Sequence, residues 1–195
     1  MLTAIVLAAG LSTRMGINNK LLLYYRNKTV IANIVESILD AGIKDIIVVT
    51  GHEADLVKYV LATFPVKFEH NPRYAEGMTT SIQQGINAAR GNGYMICLSD
   101  MLTITATEYT FLRDAFEETL SIDSKCICLP RYRNEIGNPV IFSAFYREAI
   151  LQNQQPEGCK NIVQSNKEHL FYLEMDTSHI LNDFDYPEEY QKLEP

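Results

Sequence analysis

Leu2-Thr3-Ala4-Ile5-Val6-Leu7-Ala8-Ala9-Gly10-Leu11-Ser12-Thr13-Arg14-Met15-Gly16 follows the first methionine and decides how the rest of the chain is read. Leu2–Leu7 is apolar and bounded by Gly10. A short apolar run of this kind predicts a strand buried on both faces. A secretory leader is the competing reading, but the segment lacks a charged start and its apolar run, Leu2 to Ala9, is short. The residues after the run are small, glycine-bearing and polar, with one cation at Arg14. Small residues let backbone N–H groups approach an anion, and glycine permits turns that aim several of them at one phosphate. Taken alone, the loop is either a phosphate cradle or an ordinary strand-to-helix turn.

Similar apolar runs recur down the chain, alternating with helical periodicity. Asp45–Thr50, Val66–Glu69, Tyr94–Ser99, Lys125–Leu129, Val140–Phe142 and Leu170–Met175 read as strands. Thr29–Ala41, Glu53–Thr63, Thr79–Arg90, Thr105–Glu118, Ala144–Leu151, Cys159–Ser165 and Pro187–Lys192 read as helices. The alternation predicts a Rossmann-like α/β fold whose mostly parallel sheet is covered on both faces. Ligands of such sheets bind at the carboxyl ends of the strands. The unusual residues of this sequence fall there.

The chain has 195 residues, 47% hydrophobic and 21% charged, which suits one domain spanning 1–195. A net charge of −7 without a basic stripe argues against a nucleic-acid partner. No run is long enough to cross a bilayer. The four cysteines, Cys97, Cys126, Cys128 and Cys159, form no zinc pattern and read as reduced residues of a cytoplasmic protein. His52 and His70 follow strands, where loop or capping roles are the commoner use. The tyrosines, Tyr24 and Tyr25 among them, read as surface or rim residues.

Two familiar phosphate motifs are absent. There is no G-x-G-x-x-G, and Ile17 rather than lysine follows Gly16, so the loop is not a Walker A sequence. Lys20 adds a second cation nearby. Asp100 ends an apolar run, where a carboxylate suits Mg²⁺; taken alone, it reads first as the N-cap of the next helix. Asn182-Asp183-Phe184-Asp185-Tyr186-Pro187-Glu188-Glu189 supplies further acids, with Asp185 as a helix cap the competing reading. An anion-binding loop, a lysine and two separate carboxylate positions together make a phosphoryl-transfer set.

With these pieces assembled, the sequence resembles the MobA-like NTP transferases, and within them the molybdenum cofactor cytidylyltransferases. LAAGLSTRMG-x-x-NK resembles the family's opening, NPRYAEGMTTSIQQGI its base-side loop and helix, CLSDM its metal-binding strand end, GNPVIF its acceptor segment and DFDYPEEY its closing acidic motif. The resemblance covers nearly the whole chain. It implies the three-layer fold of nucleotide-diphospho-sugar transferase type. It implies that Leu7, Ala8, Ala9 and Gly10 lie against base and ribose, the paired alanines going with cytosine, and that Ser12, Thr13 and Arg14 wrap the triphosphate. By the same resemblance Lys20 neutralises the reacting phosphate, and Gly77, Met78 and Ser81 close over the base. The resemblance further implies that Asp100 binds Mg²⁺ with Asp183 or Asp185. Gly137, Asn138 and Pro139 face the acceptor, by resemblance the phosphate of molybdopterin or its molybdenum form, with a molybdenum hydroxylase apoenzyme as a further partner.

Four departures from the family pattern bear on the acceptor side: Leu102 for a proline, Asn138 for a histidine, Tyr186 for a threonine, and the segment after Gln155, which carries Glu157 where the pattern is more basic or glycine-rich. The expected reaction is in-line attack of an acceptor phosphate oxygen on the α-phosphorus of CTP, with Lys20, Arg14 and Asp100 carrying catalysis by positioning and charge neutralisation. Its rivals are a guanylyltransferase, a sugar- or polyol-phosphate nucleotidyltransferase, and a non-catalytic accessory protein that holds a nucleotide or pterin cofactor.

Overall fold

The computed structural model describes residues 1–11 and 19–183. Strands and helices alternate as β1 (Leu2–Ala8), β2 (Tyr24–Tyr25), β3 (Lys28–Thr29), α1 (Val30–Asp40), β4 (Asp45–Thr50), α2 (Ala54–Val60), β5 (Lys67–His70), α3 (Met78–Ala88), β6 (Gly93–Leu98), α4 (Ala106–Ile122), β7 (Ile127–Tyr132), β8 (Glu135–Ile136), β9 (Val140–Ser143), α5 (Arg147–Leu151), α6 (Lys160–Ser165) and β10 (Leu170–Glu174). The main sheet runs β10-β7-β9-β6-β1-β4-β5, with β8 added beside β7. β1 pairs in parallel with β4 and β6, β4 with β5, and β7 with β10. β9 alone in that row runs antiparallel to both neighbours.

All residues of β1 are buried, as a strand with neighbours on both edges and helices on both faces must be. Its side chains divide by the period of two. Ala4, Val6 and Ala8 pack with Ile31 and Val35 of α1 and Leu112 and Phe116 of α4. Ile5 and Leu7 pack with Ile82 and Ile86 of α3 and Ile150 of α5. Two cores therefore sandwich one sheet, giving the three-layer arrangement. Cys97, Cys126 and Cys128 sit in the first core and Cys159 in the second, all as free thiols. Burial pushes the Cys159 thiol up to about 12, so it is protonated at neutral pH. Among the described residues, no helix is long and apolar enough to cross a membrane.

The sequence-based strands recur with ends shifted by one to three residues, and Asp45–Thr50 matches without change. Three features differ. Ala144–Leu151 is not one helix: Ala144–Tyr146 forms a 3-10 turn before α5. The short ribbons β2–β3 and β7–β8 were not legible, because each turns on Arg-Asn (Arg26-Asn27 and Arg133-Asn134). All four of these residues adopt the positive φ that such two-residue turns need, where Asn-Gly is the usual signal. The third difference concerns Asp100, which does not cap the next helix. The N-cap of α4 is Thr105, in a reciprocal capping box with Glu108. The expected helix Pro187–Lys192 and the cap at Asp185 lie outside the described residues.

α3 lies unusually close to the sheet because Gly85 has no side chain. A methyl group there would come within 2.4 Å of Ile5 Cγ2 and 3.1 Å of Val49 Cγ2. Gly85→Ala should therefore lower stability by about 1–3 kcal/mol in urea unfolding, despite alanine's better helix propensity. A variant as stable as the parent would show that α3 rides freely over β1.

Candidate functional site

The register of the central strands sets the site. Leu7 lies opposite Val49 on one side and Leu98 on the other, so the chain leaves β1, β4 and β6 along one edge of the sheet. Ala9, Gly51 and Asp100 emerge there together. The Ser99 hydroxyl donates to the Leu7 carbonyl at 2.6 Å, tying the ends of β1 and β6 below the loops.

Lys20 reaches this edge from a single 3-10 turn, Lys20–Leu22. The buried Asn19 caps that turn, its Oδ1 accepting from Leu21 N–H at 3.1 Å, and the buried Leu21 anchors it in the core. The ammonium is thereby carried to Asp100, with Lys20 Nζ donating to Oδ2 at 2.8 Å across 80 positions of sequence. Both side chains are mostly buried, at 15% and 18% exposure. Asp100 Oδ1 is buried with no hydrogen-bond donor among the described residues. A buried carboxylate oxygen left unsatisfied is costly, and a cation at that oxygen would remove the cost. No group of three or more His, Cys, Asp or Glu side chains that could hold a metal ion occurs among the described residues.

Leu7, Ala9, Gly10, Lys20 and Asp100 line one wall of a cleft of about 290 Å³, and Gly77, Met78 and Ser81 line the other. Ala8 does not join them: it is 1% exposed and its methyl packs into the α1–α4 core, because alternate residues of a strand face opposite layers. Ser12, Thr13, Arg14 and Asp185 lie outside the described residues.

The far wall depends on a residue that received no role from the sequence. Asn71 is buried at the end of β5. Its backbone N–H donates to the Thr50 carbonyl, its amide donates to the Thr80 and Ser81 hydroxyls at 2.9 Å each, and its Oδ1 accepts from Arg73 N–H. The side chain thus joins the loop 71–77 to the first turn of α3, while the backbone N–H of the same residue holds it to β4. The signal was the Asn71-Pro72 dipeptide, a turn initiator. Gly77 begins α3 at φ 120°, and a side chain there would meet the Pro156 carbonyl at 2.8 Å. Tyr74, also without an assigned role, lines the same cleft, seated over Gly51. His52 lies beside the Tyr74 ring, and His70 stands apart from the cleft.

A second cavity, of about 430 Å³, shares Met78 and Leu98 with the first. Ile82, Ile96, Val140 and Phe142 form its floor, while Asn138, Glu157 and Lys160 are its polar groups. Of the three acceptor candidates, only Asn138 faces it. Gly137 and Pro139 are buried, and Gly137 packs against the Ile180 carbonyl, where a side chain would come within 2.1 Å. The segment after Gln155 forms a rim. The Thr79 hydroxyl donates to the Gln155 carbonyl and accepts from Gly158 N–H, fastening that segment to α3. Asp183 is exposed, at the end of a segment whose His179 carbonyl accepts from Thr103 in the Asp100 loop.

Residues 4–170 match the family model for the MobA-like NTP transferase domain. The chain is 26% identical over 189 residues to the molybdenum cofactor cytidylyltransferase of Escherichia coli K12, covering 95% of this chain and 92% of that protein. It is 27% identical over 151 residues to nicotine blue oxidoreductase of Paenarthrobacter nicotinovorans, covering 76% and 74%. The fold matches that of a nucleotidyl transferase from Methanothermobacter with a TM-score of 0.83 at 22% identity, over 99% and 95% of the two chains.

Because Thr105, not Asp100, caps α4, the two positions should respond differently to substitution. Asp100→Asn keeps an acceptor for Lys20 and should leave the melting temperature within a degree or two of the parent. Thr105→Ala should cost about 0.5–2 kcal/mol by loss of the cap. Thermal unfolding of both proteins checks the contrast, and a strongly destabilised Asp100→Asn protein would assign that carboxylate a structural role.

Proposed function

Because the chain belongs to the MobA-like NTP transferase family, we propose that it transfers a nucleotidyl group, CMP from CTP by preference, to a phosphorylated acceptor of molybdopterin type, releasing pyrophosphate. The observation that carries this reading is the Lys20–Asp100 pair, with its unsatisfied carboxylate oxygen, at the mouth of a cleft walled by small residues.

Mg²⁺ fits that oxygen. The ion takes one or two carboxylates and completes its shell with phosphate oxygens and water, so Asp100 with Asp183 or Asp185 would suffice. Held there by Asp100, the ion would supply neutralisation of phosphate charge. Ala9 and Gly10 leave space for the nucleoside beside β1, and Met78 and Ser81 on α3 close the opposite side. Lys20 sits where its ammonium meets both the carboxylate and the phosphates. Arg14, with Ser12 and Thr13, completes the triphosphate cradle by family resemblance. A phosphate monoester is substantially ionised at neutral pH, so its oxygen attacks the α-phosphorus without a strong general base. Positioning and electrostatics then supply the rate.

The second cavity supports an acceptor with a planar or largely apolar body. Its aliphatic and aromatic floor offers few partners for the hydroxyls of a sugar or polyol, which would be left unpaired. The cytidylyltransferase of Escherichia coli acts, by its name, on the molybdenum cofactor, and that acceptor class is the one proposed here. The preference for CTP rests on the Ala8-Ala9 resemblance and on the methyl of Ala9, which narrows the slot beside β1.

A screen of nucleoside triphosphates against molybdopterin and sugar phosphates, with Mg²⁺ and a pyrophosphate readout, tests the proposal. CTP should exceed GTP by roughly 10–200-fold, the range that shape alone supplies, and Ala9→Gly should narrow the gap. Asp100→Asn should abolish turnover while leaving the fold intact. Lys20→Ala should lower kcat more than it raises KM, because the charge it meets grows toward the transition state. Normal turnover by the Asp100→Asn protein would refute the mechanism.

A further inference from the structure

Glu108 does more than close the capping box of α4. Its carboxylate is mostly buried, at 13% exposure, and it receives the Thr105 N–H and hydroxyl on Oε2. Its other contacts come from a distant segment: the Thr177 hydroxyl donates to Oε1 at 2.5 Å, and the His179 imidazole Nδ1 lies 3.0 Å from Oε2. Burial pushes this carboxyl up, but the hydrogen bonds from Thr177, the Thr105 backbone and His179 outweigh burial and hold it below the usual glutamate range.

The segment held this way touches both functional loops. Thr103, three residues beyond Asp100, donates its hydroxyl to the His179 carbonyl at 3.3 Å. The next carbonyl, that of Ile180, accepts from the Asn138 N–H at 3.0 Å, and the Ile180 side chain is fully buried. Gly137 lies against the same carbonyl too closely for any side chain. Residues 177–183 are therefore a strap. It is anchored on Glu108, crosses the Asp100 loop, then crosses the Asn138 loop, and carries Asp183.

From these contacts we infer that Glu108, acting through Thr177 and His179, is a positioning residue that fixes Asn138 and Asp183 relative to Asp100. The inference rests on the nucleotidyl-transfer reading for its metal and acceptor consequences. The nucleotide-side wall, built by Asn71 and Gly77, stands apart from this anchor. Loosening the strap should thus disturb metal uptake and the acceptor loop and spare the nucleotide.

The test uses the double variant Thr177→Val, His179→Phe, which removes both strap contacts and leaves the Thr105–Glu108 capping box in place. Amide hydrogen exchange at Asn138 should accelerate about tenfold or more, since the strap that carries its acceptor, the Ile180 carbonyl, loses its Glu108 anchor. Mn²⁺ affinity in the presence of CTP, read from the free-ion resonance signal, should fall roughly tenfold, the lower end of what loss of a supporting hydrogen bond costs a metal site. CTP binding in a metal chelator should not change. Unaltered exchange at Asn138 would overturn the anchoring. Accelerated exchange with wild-type Mn²⁺ affinity would overturn the positioning of the metal site. A parent protein that takes up no Mn²⁺ with CTP would instead defeat the nucleotidyl-transfer reading, and the exchange measurement would still decide whether the strap holds the acceptor loop.

Discussion

A strand bonded on both edges and packed on both faces has no freedom to slide. β1 is such a strand: parallel neighbours fix its register, and two separate cores lock its alternate side chains. Everything functional is measured from its end. The first loop leaves it, the Asp100 loop leaves the neighbour on one side, and the Gly51 loop leaves the neighbour on the other. A slip of one residue would send Leu7 and Ala8 into the wrong cores and carry Lys20 away from Asp100.

On this frame the site is assembled from loops that are each tied down by one polar side chain. Ser99 ties β6 to β1, Asn71 ties the end of β5 to α3, and Asn19 caps the turn that carries Lys20. Each is a buried polar group that uses its hydrogen bonds to satisfy loop backbone or a neighbouring hydroxyl. Together they let irregular segments hold geometry that a strand or helix would otherwise provide.

The strands and long helices were legible in the sequence because burial on both faces leaves a continuous apolar run, as in DIIVVT, and because α1 repeats its apolar residues at helical spacing. Much of the cleft was legible too, since Ala9, Gly10, Lys20, Met78 and Asp100 sit in recognisable motifs. What escaped was set by tertiary contact or by unusual turn chemistry. The Arg-Asn hairpins carry no glycine. Ala8 has the same composition as Ala9 and differs only in the layer it faces. Tyr74 and the Thr177–His179 segment act through partners far away in sequence, which no local pattern reports, and Asn71, marked as a turn by Pro72, takes its role from the α3 hydroxyls it meets. The cap that Asp100 suggests when taken alone is the converse case: the composition suited a helix start, but the cap lies five residues later, at Thr105 with Glu108.

Met78 and Leu98 stand between the two cavities and belong to both. A shared partition of two flexible apolar side chains links the sites sterically: widening one side of it takes room from the other. On the proposed assignment of nucleotide and acceptor to these cavities, the choice of one is not free to diverge from the choice of the other at that wall. A lineage changing its acceptor without disturbing its nucleotide would have to work deeper in the second cavity, around Ile82, Val140 and Phe142. Change at the partition itself would be felt by both substrates at once.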